Sequence, residues 1–190
     1  MSEARQRRMT PDEFFEWQKS QDKNYELVDG VPVMPLKAMT GATRAHDRVT
    51  VRALASLSRQ LEGGPCEPVT DDIAVRIPRG NVRRPDAVVD CGESDPKSTE
   101  ATDPRIVIEV LSPSTAGVDR IQEVEEYKSH PSVRVILLLD TRVPRAGAWR
   151  LIGMAWTLED YAGLEAEIAL PEVGATLRLG DLYRGFDFEA

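Results

Sequence analysis

A carboxylate inside an apolar run is costly to bury unless something compensates it. Glu109 sits in such a run, flanked by Ile106, Val107, Ile108, Val110 and Leu111. Upstream, Asp86 follows Arg84 and Pro85 and opens the segment Ala87-Val88-Val89. Proline fits there because the first residue of a strand needs no ladder donor. If these two segments pair, their carboxylates converge. Two hard oxygen ligands with room for water suit magnesium or manganese, and such an ion can stabilise the charge of a displaced phosphate. From these residues alone a plainer arrangement is favoured, in which Asp86 ends a turn and Glu109 pairs with an arginine.

Basic residues lie beside these acids. Arg76, Arg79, Arg83 and Arg84 cluster next to Asp86 and are the better phosphate-binding candidates. Arg44, Arg48, Arg52 and Arg59 fall at helical spacing, a stripe that either tracks a phosphate backbone or forms the solvated side of an amphipathic helix. His46 falls with Val49, Ala53 and Leu57, which favours a packed histidine over a catalytic one.

Several elements must position these residues. Thr10-Pro11-Asp12-Glu13 carries the cap, proline and first-turn acids of a helix start, and predicts a helix to about Ser20. Asp29-Gly30 between Tyr25–Val28 and Val31–Met34 predicts a hairpin with a two-residue turn. Val49, Ala53, Leu54, Leu57 and Leu61 predict a long helix from Gly41 to Leu61, ended by Gly63-Gly64-Pro65. Strands are expected at Ile73–Ile77, Asp86–Cys91 and Arg105–Leu111, the last buried on both faces. A loop over Ser112–Gly117 then leads to a helix capped by Asp119 and backed by Gln122, running to about Ser129. Further strands are expected at Val133–Asp140, Ala148–Leu158 and Glu165–Leu170, with a turn over Asp160–Gly163. A strand, helix, strand passage from 105 to 140 implies a mixed sheet with a parallel crossover, an α/β or α+β fold.

The string Arg84-Pro85-Asp86, then Ile108-Glu109-Val110-Leu111-Ser112-Pro113-Ser114-Thr115, then Asp119-Arg120 and Tyr127, resembles the Uma-two family of restriction-endonuclease-like proteins, a branch of the PD-(D/E)XK nuclease superfamily. The Tyr25–Gly30 segment, His46 and Leu179–Tyr183 extend the likeness over about residues 10 to 185. The resemblance implies an α/β, restriction-endonuclease-like core: a mixed central sheet flanked by helices, with an N-terminal hairpin. It also implies a magnesium-dependent (or manganese-dependent) hydrolase of DNA phosphodiester bonds, with Asp86 and Glu109 as metal ligands and Glu26 completing the acidic cluster. The superfamily lysine two residues after the glutamate is here Leu111. The family's displaced lysine, four residues before the tyrosine, is here Glu123.

Residues 123 and 127 share a helix face, so Glu123 points where that lysine would. A fourth carboxylate there repels the others unless a metal neutralises the cluster or one acid keeps its proton. Lys128, about 140° around the helix, is a poor substitute, and Gln122 can donate a hydrogen bond but cannot act as a base. Since general acid–base assistance is worth about 10²–10⁴-fold, slow cleavage is expected. A catalytically inactive nucleic-acid or protein-binding module on the same fold is the alternative.

Composition bounds these expectations. The 190 residues, 41% of them hydrophobic, fit one domain over 1–190, with residues 1–9 expected to be flexible. A net charge of −8 weakens any general attraction of phosphate by the whole surface, so DNA as a partner requires a local patch. No apolar run approaches membrane-helix length and the basic N-terminus lacks an apolar h-region, so no membrane partner is expected and a cytoplasmic address follows. Cys66 and Cys91, without CxxC spacing, are expected to be separate core or strand thiols. A homodimer would suit cleavage of two strands.

Overall fold

Local chemistry sets the ends of the first elements. Thr10 caps α1 (Pro11–Gln18) by accepting from the Glu13 amide, while the Glu13 carboxylate accepts from the Thr10 amide at 2.9 Å. Two donors that helix geometry orphans are satisfied reciprocally. Asp29 and Gly30 both take positive φ, 50° and 77°, and form the two-residue turn between β1 (Glu26–Val28) and β2 (Val31–Val33). Thr43 caps α2 (Arg44–Leu61), whose Val49, Ala53, Leu57 and Leu61 form one buried stripe.

The strands that follow are β3 (Glu67–Thr70), β4 (Val75–Arg76), β5 (Val82–Arg83), β6 (Ala87–Asp90) and β7 (Pro104–Leu111). Helix α3 (Val118–Lys128) separates β7 from β8 (Val135–Asp140). The chain ends with β9 (Arg145–Ile152), β10 (Ala155–Ala162), β11 (Glu167–Leu170), β12 (Ala175–Arg178) and the single turn α4 (Leu179–Leu182). This computed structural model describes residues 8–35, 41–93, 95–111 and 118–188, with side chains in the last stretch from 121 onward.

A mixed sheet of order β10-β9-β8-β7-β6-β3 is the centre of the molecule. β7 and β8 run parallel, joined through α3, and the other pairs in this sheet are antiparallel. Alternation along β7 sends Ile106, Ile108 and Val110 into the cluster with the α2 stripe, and Val107 into the cluster with Val124 and Tyr127 of α3. The expected strand buried on both faces and the parallel crossover are therefore both present. A second sheet of order β2-β1-β5-β4 packs Leu27 and Val82 with Phe14 of α1. The pair β11–β12 adds Ile168, Leu170 and Leu177 to the α2 side of the core.

Some boundaries differ from the sequence reading. The run read as one strand over 148–158 is the β9–β10 hairpin, which turns at Gly153 (φ 63°); the turn expected over 160–163 is displaced to Gly163 (φ 88°). Aliphatic character continues through that turn, so hydrophobicity alone hid it. The strand expected over 73–77 shortens to β4, and β3, β5 and β12 were not foreseen because two to four residues carry little periodicity. Cys66 and Cys91 are not separate thiols. They are joined in a disulfide, with their Cα atoms 4.0 Å apart, just beyond the Glu67–Asp90 register pair of β3 and β6. Spacing in sequence could not show this, since the pairing is set by the strands between. Residues 1–7, the 112–117 loop and the Asp119 cap lie outside the described residues. No helix among the described residues is long and apolar enough to cross a membrane.

Leu57 is fully buried between α2 and the central sheet. Leu57→Ala should cost about 2–5 kcal/mol in urea-induced unfolding; a loss below about 1 kcal/mol would show that the α2 stripe does not build the main core.

Candidate active site

The antiparallel ladder of β6 and β7 ends at the Ala87–Ile108 pair; Asp86 directly precedes the one residue and Glu109 directly follows the other. Beyond that pair the side chain of Asp86, as an acceptor, meets the facing strand. Its Oδ2 accepts from the Val110 amide at 2.8 Å. The same oxygen lies 3.1 Å from His46 Nε2, in the first turns of α2, where the Thr43 cap sets the helix start. A carboxylate only accepts, so this contact requires the proton on Nε2. Asp86 and His46 are both buried. Tyr127, buried on α3, donates its hydroxyl to Glu109 Oε1 at 2.9 Å. Burial first, then the charges of Glu109, Glu26 and Glu123, push the Tyr127 phenol well above its ordinary pKa. Tyr127 is thus a fixed donor, surrounded by three of the sequence-predicted carboxylates.

The remaining acids meet Arg83. Its Nη1 donates to Glu26 Oε2 at 3.1 Å and lies 3.6 Å from Glu123 Oε1. Nε and Nη2 donate to Glu126 at 2.6 and 3.1 Å. Burial alone would lower the Arg83 pKa, but the hydrogen bonds to Glu126 and the charges of Glu26, Glu126 and Glu123 outweigh it and raise it. Glu126 also accepts from Asn81 and Gln122, each at 2.9 Å. Gln122 therefore faces Glu126. The repulsion expected of Glu123 is relieved in part by a cation that sequence reasoning placed elsewhere.

The four arginines proposed for phosphate divide. Arg83 and Arg84 are 5% and 3% exposed. The Arg84 side chain donates to the backbone carbonyls of Tyr25, Asp71 and Asp72, and its pKa is lowered chiefly by burial. Arg76 is bound by Glu100 through two bonds and by Asp12 through one. Arg79, at the tip of the β4–β5 turn, is exposed. On α2, Arg48 and Arg52 lie over the Phe186 ring and donate to the carbonyls of Arg184 and Leu182, which ties half of the arginine stripe to the C-terminal segment.

Sequence reasoning missed Glu126 and Asn81. A signal for Glu126 existed: positions 123, 126 and 127 share one helix face by spacing of three and four, so an acid at 126 belongs with the buried Tyr127. Asn81 had no such signal, because its role depends on a turn. Its Oδ1 accepts from the Asp29 amide of the hairpin at 2.8 Å.

Among the described residues, no group of three or more His, Cys, Asp or Glu side chains is gathered to hold a metal alone. Magnesium is commonly held by one or two carboxylates and keeps several waters. The hard oxygens of Asp86 and Glu109 therefore fit it by donor chemistry.

A family profile described as "Putative restriction endonuclease" matches residues 11–180. Two proteins of Synechocystis sp., each called uncharacterized, are similar in sequence. One, slr1290, is 29% identical over 184 residues, 95% of this chain and 94% of that protein. The other, sll1609, is 26% identical over 165 residues, 84% of this chain and 91% of that protein. The crystal structure described as "a putative nuclease belonging to DUF820", from Anabaena variabilis, aligns with a TM-score of 0.71 at 14% identity. The alignment covers 92% of this chain and 97% of that one, and shows a shared fold.

Burial raises the Glu126 carboxyl, but the Arg83 bonds and charge, with Gln122 and Asn81, outweigh it and hold the group below its ordinary value of 4.5. A depressed carboxyl adds stability that is complete above the unfolded pKa and is lost as pH falls through the folded one. The stability gap between wild type and Glu126→Gln, measured by urea unfolding from pH 7 to pH 3, should therefore narrow as acid is added below about pH 4.5. A constant gap would show that Glu126 carries no such linkage.

Proposed function

Because the chain belongs to the Uma2 family, whose profile spans residues 11–180, we propose that it is a metal-dependent endonuclease hydrolysing phosphodiester bonds of DNA. The observation that carries this reading is the bond from the Val110 amide to Asp86, which brings that carboxylate to β7 one residue from Glu109, at the end of the β6–β7 ladder. Asp86 and Glu109 would hold Mg²⁺ or Mn²⁺, which supplies the positive charge that activates a water and stabilises the charged phosphate of the transition state.

The protein's own groups do the rest. His46 and the Val110 amide orient Asp86, and Tyr127 orients Glu109. Glu123, a quarter exposed, is the group that accepts the proton of the attacking water; Glu26 supports the acidic cluster from the hairpin. Arg79, exposed at the tip of the β4–β5 turn, contacts backbone phosphate. Cleavage of both strands calls for two such sites, which a two-fold dimer supplies. In a reducing cytoplasm, where this reading places the protein, Cys66 and Cys91 would stand as thiols across the same two strands.

Duplex and single-stranded DNA incubated with the full chain in Mg²⁺, Mn²⁺, Ca²⁺ or chelator should show slow cleavage in Mg²⁺ or Mn²⁺ only. Asp86→Ala should lower the rate about 10²-fold or more. Metal-independent cleavage, or a rate unchanged in Asp86→Ala, would overturn the assignment, and salt-sensitive DNA binding without cleavage would make the chain a binding module.

A further inference from the structure

We propose that Arg83, clamped by Glu126, is a positioning residue that sets Asp86 in place and is not a phosphate contact; this rests on the reading of Asp86 and Glu109 as the metal-binding pair. The brace works through the backbone just ahead of Asp86. Glu26 uses both of its oxygens on this segment: Oε2 accepts from the Arg83 side chain at 3.1 Å, and Oε1 from the Arg84 amide at 2.9 Å. Arg84 turns its own side chain to the carbonyls of Tyr25, Asp71 and Asp72, at 2.7–2.9 Å. Residues 83 and 84 are thus held from β1, from α3 and from the segment after β3. Pro85 follows with its φ locked, so a hold on residues 83 and 84 is transmitted to Asp86 with little slack.

Glu126 fixes the other end. Its two oxygens take the Nε and Nη2 edge of Arg83, a forked pair that a lysine ammonium cannot reproduce. Asn81 and Gln122 donate to the same carboxylate, and Asn81 reaches the hairpin turn at Asp29. The third nitrogen, Nη1, faces Glu26 and Glu123. Every nitrogen of the guanidinium has an acidic partner inside the protein, and the side chain is 6% exposed. A phosphate would have to displace a carboxylate to reach it.

Stability by itself is a weak reason for such a network, because an apolar core of the same volume is often as stable as a buried ion pair. What the brace adds is direction. It couples the N-terminal hairpin, β5 and α3 to the residue whose carboxylate bonds the Val110 amide next to Glu109.

The test uses the full chain with Glu126→Gln and Arg83→Lys, and Mn²⁺ alone as the probe, titrated calorimetrically without DNA. Circular dichroism establishes folding, and DNA binding is followed against salt. Removing a direct hydrogen-bond partner of a metal ligand typically costs about 10–100-fold in affinity, and Arg83 and Glu126 act further back, through the backbone of residues 84 and 85. Each folded variant should therefore bind Mn²⁺ more weakly than wild type by up to about 10-fold, with no rescue by the lysine. The salt slope of DNA binding should be unchanged. Unchanged Mn²⁺ affinity in folded Glu126→Gln would make the network merely structural and overturn the proposal. A salt slope reduced by about one in a folded Arg83→Gln, which removes the charge that lysine keeps, would restore Arg83 as a phosphate contact and overturn it too. Should Arg83→Lys fail to fold, the isosteric Glu126→Gln decides. Absence of Mn²⁺ binding in the wild type would remove the metal-site reading itself, a failure distinct from one confined to the variants.

Discussion

Carboxylates taken out of water must be answered by donors or cations within bonding distance, and that requirement organises one end of this protein. Glu26, Asp86 and Glu126 are each less than a tenth exposed. Asp86 is met by a backbone amide and an imidazole, Glu126 by a forked guanidinium with two amides, and Glu26 by a guanidinium and an amide. Those donors come from α2, the β4–β5 turn, β5, β7, α3 and the segment between β5 and β6, so the elements that build the fold also satisfy the charges. A shift of any one of them would leave a buried ion short of a partner, which costs several kcal/mol where a shift between apolar surfaces costs less.

The sequence made the larger features legible because they are periodic. The apolar stripe of α2 and the two-sided burial of β7 repeat over enough residues to stand out, and the Asp-Gly turn is chemically specific. Asp86 and Glu109 could be singled out for the opposite reason: each is an acid where a hydrophobic residue would otherwise be placed. What stayed hidden was what depends on the third dimension. Arg83 and Arg84 read as a surface cluster, yet both turn inward, because neighbouring residues in sequence carry no statement of which carbonyls and carboxylates lie beneath them. The Cys66–Cys91 bond depends on an antiparallel register that no spacing rule contains.

The replacement of a lysine by Glu123, as the family resemblance presents it, is better understood with these partners in view. An acid at 123 is not an isolated intrusion of negative charge, since it stands within 3.6 Å of Arg83. The positive charge near the site is supplied from β5, on a side chain that is buried and held. A fixed cation shared among three carboxylates offers less mobility than a lysine on a helix surface, and places its charge behind the acids.

The parts of this site are scattered along the chain: Glu26 on β1, His46 on α2, Asp86 ahead of β6, Glu109 on β7, Glu126 and Tyr127 on α3. β7 and β8 pair in parallel, so α3 must cross over before their ladder can close. Contacts between residues so far apart in sequence form late, because the chain entropy of closing long loops must be overcome first. A fragment that stops short of α3 therefore lacks Glu126 and Tyr127, and no short fragment can hold all the parts. For a protein whose proposed chemistry is the cutting of DNA, the topology couples competence to a chain that has closed its sheet through α3.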